Sequence, residues 1–163
     1  YKMCPKIFHI NGHLLLNGMK MSKNNGNFLT MRDAIIKYGS DAVRLSLSES
    51  DGIEDGDCNE KIMNGNFKKI YNEIKWIEQI LEKLETYNDY IDDYWNKLMD
   101  IQITYQYDKT IKLYNDFKYV DAVYNGFHKL LTYRDNYRQM CPKYSKYIIK
   151  KYIDCFLLLT YPI

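Results

Sequence analysis

The sequence is poor in arginine and proline, with only four Arg and three Pro among 163 residues. Its four cysteines, Cys4, Cys58, Cys141 and Cys155, are widely spaced, with no Cys-x-x-Cys pair and no histidine at ligand spacing. That pattern excludes a secreted disulfide framework and a zinc site, leaving reduced thiols and no expected metal ligands. The longest apolar run, Cys155 to Leu159, is far shorter than the roughly 20 residues a membrane helix needs. No basic-then-apolar leader opens the chain, so no membrane contact is expected. Beginning at Tyr1 rather than Met, it reads as a piece of something longer.

An apolar share of 46% and a charged share of 27% describe a soluble globular chain. The length permits one sizeable core with a small appendage and excludes a complete multidomain enzyme. Lys, Ile, Tyr and Asn supply 68 of the 163 residues. All four share A/T-rich codons, so the tyrosines carry little functional weight individually. The net charge of +2 hides three zones: +5 over residues 1–48, −9 over 49–108 and +6 over 109–163. Basic blocks at both ends are candidates for meeting phosphates, with a solvated lysine surface as the plain alternative.

Seven of the eight glycines lie in the first 65 residues, so the front reads as loops and short elements and the back as long helices. Ile7–His9 and His13–Leu16 read as short strands around an Asn11–Gly12 turn. A polar loop follows from Met19 to Asn27. Thr30, with Asp33 three residues on, caps a first short helix that Gly39 stops, and Ser40–Asp41 caps a second through Leu47. Glu49 to Asn59 reads as a connecting loop. From Asn59 onward, Met63, Phe67, Ile70, Ile74, Ile77, Leu81 and Leu84 recur at steps of four and three, the stripe of a long amphipathic helix. A coiled-coil dimer shows the same stripe, but three further helices are available to cover it within one chain. Ile91 to Asp116 reads as a second helix with Tyr94, Leu98, Ile101 and Tyr105 inward. The third, Tyr119 to Met140, carries Val120, Val123, Phe127, Leu130, Arg134 and Tyr137, and Pro142 breaks the chain after it. The last, Tyr144 to Thr160, aligns Ile149, Tyr152, Phe156 and Leu159. The expected fold is mainly α: a four-helix bundle preceded by short β strands, a flexible loop and two short helices.

The informative segment is Asn17-Gly18-Met19-Lys20-Met21-Ser22-Lys23-Asn24-Asn25-Gly26-Asn27-Phe28. Two ammonium groups three residues apart, a hydroxyl at Ser22 and nearby backbone N–H donors make a clamp for a polyphosphate. Such a clamp stabilises charge developing on a leaving pyrophosphate. On composition alone, an ordinary Lys/Asn/Gly surface loop accounts for these residues equally well.

The order Lys20-Met21-Ser22-Lys23, followed by Gly26-Asn27, resembles the lysine motif of class I aminoacyl-tRNA synthetases. Its flanks, Asn11-Gly12-His13-Leu14-Leu15-Leu16-Asn17 before and Gly26-Asn27-Phe28-Leu29-Thr30 after, look like leucyl-tRNA synthetases of the eukaryotic and archaeal cytosolic type. Asp41-Ala42-Val43-Arg44-Leu45, Asp51-Gly52-Ile53-Glu54-Asp55, Tyr133-Arg134-Asp135-Asn136-Tyr137-Arg138 and Leu157-Leu158-Leu159 extend the similarity along the chain. The resemblance implies a cytoplasmic ligase that joins leucine to ATP as leucyl-adenylate, with Mg2+ accompanying ATP, and then passes leucine to tRNA-Leu. It implies that Lys20 and Lys23 are catalytic and hold the ATP phosphates, that Met21 and Ser22 shape the loop, and that Gly26 and Asn27 set its return. It also implies the domain plan: residues 1–30 as the end of a Rossmann-like catalytic domain, 31–58 as a short-helix connecting region, and 59–163 as an anticodon-binding-type bundle truncated at its C-terminal end.

Two departures stand out. Asn24 occupies the place where the family usually has a second serine, which points to altered loop dynamics. The family's His-x-Gly-His element is absent, since His9, Gly12 and His13 have the wrong spacing. The chain is therefore expected to be an excised fragment, inactive alone and monomeric. Arg134, Arg138, Lys146 and Lys150 form the expected basic face for tRNA phosphates, with one arginine alternatively a buried salt-bridge partner. His13 and His128 have no triad partners and read as structural. Asp51, Glu54, Asp55 and Asp57 lack the periodicity of a calcium loop. The alternatives are a valyl-, isoleucyl- or methionyl-tRNA synthetase fragment, or a non-catalytic helical RNA-binding or scaffold module.

Overall fold

The structure, a computed structural model, describes the chain except residues 1–3, 6, 7, 9, 11, 51–54, 91 and 163. The expected strand at Ile7–His9, the Asn11–Gly12 turn, the Ile91 helix start and most of the 51–55 acidic stretch fall outside the described residues. Two compact units divide the chain at residues 66 and 67.

The first unit opens on strands β1 (Leu14–Leu16) and β2 (Met19–Lys20). They pair antiparallel, with Leu15 opposite Lys20 and Leu16 opposite Met19. The connection is the two-residue Asn17–Gly18 turn, whose φ values of 52° and 75° are the left-handed pair that this tight turn demands. Helix α1 (Met31–Tyr38) starts where expected, Thr30 Oγ accepting from the Asp33 N–H at 3.0 Å. Gly39, at φ 82°, separates it from α2 (Ser40–Ser48). Ser40 lies inside α2 rather than capping it, its hydroxyl donating to the Asp41 carboxylate at 3.0 Å.

The stretch expected as a loop from Glu49 to Asn59 contains a strand. Gly56–Cys58 forms β3, which pairs parallel to β1 with Leu16 opposite Cys58, giving the sheet order β2-β1-β3. Cys58 is buried with Leu16, Ala34, Tyr38, Val43, Leu45 and Met63 in this unit's core.

Helix α3 (Glu60–Glu82) gives its first residues to this unit and continues from Phe67 into the second. There it is followed by a 3-10 turn (Leu84–Thr86), α4 (Tyr94–Asn115), α5 (Tyr119–Val123), a π-helical turn (Tyr124–Lys129), α6 (Leu130–Met140) and α7 (Lys146–Thr160). The expected third helix is thus one helical run with a π-turn in its middle. Gly126 sits in that turn, where a Cβ would come 2.9 Å from Thr110 Cγ2 and 3.4 Å from Leu159 Cβ. Only glycine lets the turn approach α4 and α7 so closely.

The stripes of α5–α6 and α7 point inward as expected: Val123, Phe127, Leu130, Arg134 and Tyr137 are buried, as are Ile149, Tyr152, Phe156 and Leu159. That of α3 does so only at its ends, where Met63 and Leu84 are buried, and that of α4 does not. Phe67, Ile74 and Leu81 are about half exposed, while the inward row of α3 in this unit is Glu73, Trp76 and Ile80. In α4, Tyr94, Ile101 and Tyr105 face outward and the buried row is Asn96, Met99, Ile103, Gln106 and Thr110. Both inward rows carry polar residues, of which Glu73 and Asn96 are hydrogen-bonded inside while Gln106 Oε1 and Thr110 Oγ1 have no partner among the described residues. Asn96 Oδ1 accepts from Tyr137 OH at 2.6 Å, and its amide donates to the Lys143 carbonyl at 3.2 Å.

Candidate functional site

The hairpin β1–β2 delivers Lys20 to the exposed edge of the sheet, and the chain turns again immediately. The Ser22 N–H donates to the Asn27 carbonyl at 2.8 Å, closing a bridge around residues 23–26. Gly26 takes φ 70° within that turn, a conformation that strains any residue with a Cβ. The segment expected as a free polar loop is thus a second tight turn with Lys20 on one side of the bridge and Lys23 on its outer arc. Met21 and Ser22 are half-buried; Lys20, Lys23, Asn24 and Gly26 are exposed.

Asn27 does more than close the bridge. Its side-chain amide lies 3.4, 3.3 and 3.2 Å from the carbonyl oxygens of Leu16, Met19 and Lys20. One NH2 group thereby ties the end of the turn to the hairpin that precedes it, holding the two lysines on a fixed scaffold. The Lys23 ammonium rests 5.2 Å from the centroid of the Phe28 ring. An exposed contact of that kind contributes about 0.5–1 kcal/mol, weak enough to be exchanged for a phosphate.

The acidic residues beyond the turn brace it from below. The Asp57 carboxylate accepts from the Gly18 N–H at 2.8 Å and that of Asp55 from the His13 N–H at 2.7 Å. Asn17 Oδ1 accepts from the Glu60 N–H at 3.3 Å. Glu60 in turn accepts from the Lys37 ammonium and the Tyr38 hydroxyl, both at 2.8 Å. These two hydrogen bonds lower the Glu60 pKa, and the bond to Glu60 is the chief cause that raises Lys37. Sequence reasoning missed this bracing because its partners lie about 40 residues away along the chain, and only the β1–β3 pairing brings them together.

The four residues expected to form one basic face are dispersed. Arg134 is buried, and its guanidinium donates to the Glu73 carboxylate and, at 2.8 Å, to Asp135. It stacks 5.0 Å over the Trp76 ring. Its salt-bridge partner is thus on α3, the first long helix. Tyr152 OH donates to the other Glu73 oxygen at 2.8 Å. Burial pushes the Glu73 carboxyl upward against the pull of Arg134, and pushes the Tyr152 hydroxyl well above its ordinary value. Lys146 is ion-paired to Glu85 at 2.6 Å. Arg138 and Lys150 are exposed, but Arg138 borders a cavity between α3 and α6, whereas Lys150 borders a separate cleft between α4 and α7.

A family model described as tRNA synthetases class I (M) matches residues 1–75, which contain the whole two-lysine turn. The chain is 33% identical over 164 residues to the cytoplasmic leucine–tRNA ligase of Neurospora crassa, covering 98% of this chain and 15% of that protein. The corresponding ligase of Saccharomyces cerevisiae is 31% identical over 163 residues, covering 99% of this chain and 15% of its own length. Over almost its whole length the chain is similar to cytoplasmic leucine–tRNA ligases. The Arabidopsis thaliana ligase is 30% identical over 167 residues, 98% of this chain and 15% of its own. The similarity therefore runs through the helices of the second unit as well as the turn. The chain spans about one-seventh of the length of these relatives. Among the described residues, no helix is long and apolar enough to cross a membrane.

Proposed function

We propose that the chain is the part of a cytoplasmic leucine–tRNA ligase that supplies the ATP-phosphate turn and the tRNA-facing helices. Residues 1–30 are read as the end of the catalytic domain, 31–58 as the connecting region and 59–163 as an anticodon-binding-type helical bundle. The observation that carries this reading is the similarity to cytoplasmic leucine–tRNA ligases over almost the whole chain, centred on a braced turn with two outward ammonium groups.

In the first reaction step, a leucine carboxylate oxygen attacks the α-phosphorus of ATP and the bond to the β,γ-pyrophosphate breaks. Negative charge accumulates on the leaving pyrophosphate. Lys20 and Lys23 oppose that charge, and the Asn27 tie keeps them where it develops, so they need little rearrangement as the bond breaks. Lys23 reaches the phosphates by leaving the face of Phe28. Met21 and Ser22 form the half-buried inner edge of the turn, and Gly26 allows its reversal. No carboxylate lies between Met19 and Phe28, so Mg2+ accompanying ATP would be held by phosphate oxygens rather than by this turn. In the second step a hydroxyl at the 3′ end of tRNA-Leu attacks the leucyl carbonyl and AMP leaves. Of the four cations expected to meet the tRNA backbone, Arg138 and Lys150 are the exposed ones. Every residue of the turn comes from one copy, so the proposal requires no oligomer.

The test is amino-acid-dependent pyrophosphate exchange by the full-length protein. Exchange that depends on leucine supports the reading. Exchange that instead follows valine, isoleucine or methionine, or that no amino acid elicits, overturns it.

A further inference from the structure

Five of the eight glycines follow an asparagine: Asn11-Gly12, Asn17-Gly18, Asn25-Gly26, Asn64-Gly65 and Asn125-Gly126. In such a pair the glycine nitrogen can attack the side-chain carbonyl of the asparagine, because no Cβ on the second residue shields it. The reaction requires an asparagine side chain free to turn onto its own backbone and a glycine N–H free to give up its proton. Of the four pairs among the described residues, one meets both conditions. Asn17 Oδ1 is held by the Glu60 N–H at 3.3 Å, and the Gly18 N–H donates to Asp57 at 2.8 Å. Asn64 and Gly65 lie inside α3, where the Gly65 N–H is engaged by the carbonyl four residues back. Asn125 is 5% exposed, and its amide donates to the Asp121 carbonyl at 2.7 Å. Asn25 instead sits exposed on the arc of the two-lysine turn, and its side chain has no hydrogen-bond partner among the described residues. The Gly26 N–H reaches the Lys23 carbonyl at 3.4 Å, beyond the usual range of roughly 2.7–3.2 Å, so it is loosely held. Lys20 and Lys23, with no carboxylate between Met19 and Phe28, make the arc electropositive, which favours loss of the Gly26 amide proton.

We propose that Asn25 is a spontaneous deamidation site through which the turn loses phosphate-opposing charge as the protein ages. The Gly26 nitrogen bonds to Cγ of Asn25, the Cγ–NH2 bond breaks, and ammonia departs with the proton that the nitrogen gives up. Water then opens the resulting succinimide. Cleavage at Cγ leaves aspartate, whereas cleavage at the backbone carbonyl leaves isoaspartate, with one extra methylene in the main chain. The sum is asparagine plus water giving aspartate or isoaspartate plus ammonia, with no oxidant or reductant. Either product puts a carboxylate two residues from Lys23, and isoaspartate also lengthens the arc closed by the Ser22–Asn27 bridge. The functional half of the inference rests on the ligase reading, which gives the two ammonium groups their role; the chemistry at Asn25 does not.

The test is incubation of the full-length protein at mildly alkaline pH and physiological temperature, with peptide mapping by mass spectrometry and leucine-dependent pyrophosphate exchange followed in parallel. Trypsin releases residues 24–32 as one peptide, whose fragment ions separate Asn24, Asn25 and Asn27. A one-dalton gain should accumulate at Asn25 ahead of Asn17, Asn64 and Asn125, and wild-type exchange should decline with the fraction converted. Asn25→Gln, whose longer side chain closes a six-membered ring only slowly, should start at the wild-type rate and keep it. Asn25→Asp should exchange about tenfold more slowly than wild type from the start, a smaller loss than deleting a donor because both lysines remain. An unchanged urea midpoint verifies that each variant folds. No mass gain at Asn25, a gain there no faster than at Asn64 or Asn125, equal decline of exchange in wild type and Asn25→Gln, or wild-type exchange by Asn25→Asp would each overturn the proposal. Failure of the ligase reading shows separately, as fresh wild-type protein in which leucine elicits no exchange.

Discussion

Replacing Arg134 by Met removes the guanidinium that compensates Glu73, and the surroundings of Glu73 set the cost. Glu73 is 1% exposed, so its carboxylate would be left with a single protein donor, the Tyr152 hydroxyl at 2.8 Å. Breaking a buried pair by deleting one partner costs about 3–5 kcal/mol, chiefly because an uncompensated charge stays behind. Loss of the stack on Trp76 falls within the same range. With a urea m-value of about 2 kcal/mol/M, the midpoint should drop by roughly 1.5–2.5 M. Adding Glu73→Gln removes the stranded charge, so the double variant should regain most of the loss. The pH dependence has a definite sign. Burial already raises the Glu73 pKa, and without Arg134 it rises further, so on acidification the native state takes up a proton before the unfolded state does. The variant's deficit should therefore shrink on acidification from pH 7 toward 5. An Arg134→Met protein within about 1 kcal/mol of wild type at pH 7, with no change between those pH values, would refute this account of the pair.

Three further outcomes are expected. Asn27→Ala should lower hydrogen-exchange protection of the Ser22 amide by about five- to tenfold while global stability is retained, because a tie worth about 1 kcal/mol is lost; unchanged protection would mean that Asn27 does not hold the turn. Gly126→Ala should destabilise by about 1–3 kcal/mol through overpacking against Thr110 and Leu159, and adding Thr110→Ser should recover part of it; a neutral Gly126→Ala would show that the π-turn has room. Burial raises Tyr137 and Tyr152, and pushes the Cys155 thiol up to about 11. The stability these tyrosines contribute is complete below the unfolded tyrosine pKa of about 10 and lost as pH rises beyond it. A titration of tyrosinate absorbance should show exposed tyrosines ionising reversibly and these two only with unfolding, whereas a single smooth titration of all tyrosines in a folded chain would contradict it.

How much of this was legible in advance depended on whether the local signal and the tertiary role agreed. Asn17–Gly18 and the Thr30–Asp33 cap were readable because their function is complete within four residues. The faces of α5–α6 and α7 were readable because their buried rows are apolar apart from Asn125 and Arg134. Helix α4 misled because its interior row contains Asn96, Gln106 and Thr110, while Ile101 and Tyr105 face outward. A hydrophobic-stripe reading assigns the wrong side to such a helix. In α3 the buried Glu73 has the same effect. Strand β3 was invisible because Gly-Asp-Cys has little intrinsic strand preference, and its parallel pairing to β1 depends on residues some 40 positions away. At the site, both lysines and the glycine were evident, but the shape of the turn was not. It is set by contacts from Asn27 to three carbonyls and from Asp57 to Gly18, which no spacing rule encodes.

The central claim is that the turn around Lys20 and Lys23 opposes charge on the phosphates of ATP. Leucine-dependent pyrophosphate exchange by the full-length protein, measured for wild type and Lys23→Ala, tests it most directly. Removing one preorganised charge-stabilising donor should slow exchange by about 10²–10³-fold with the fold intact. Exchange at the wild-type rate in the Lys23→Ala protein would contradict the claim.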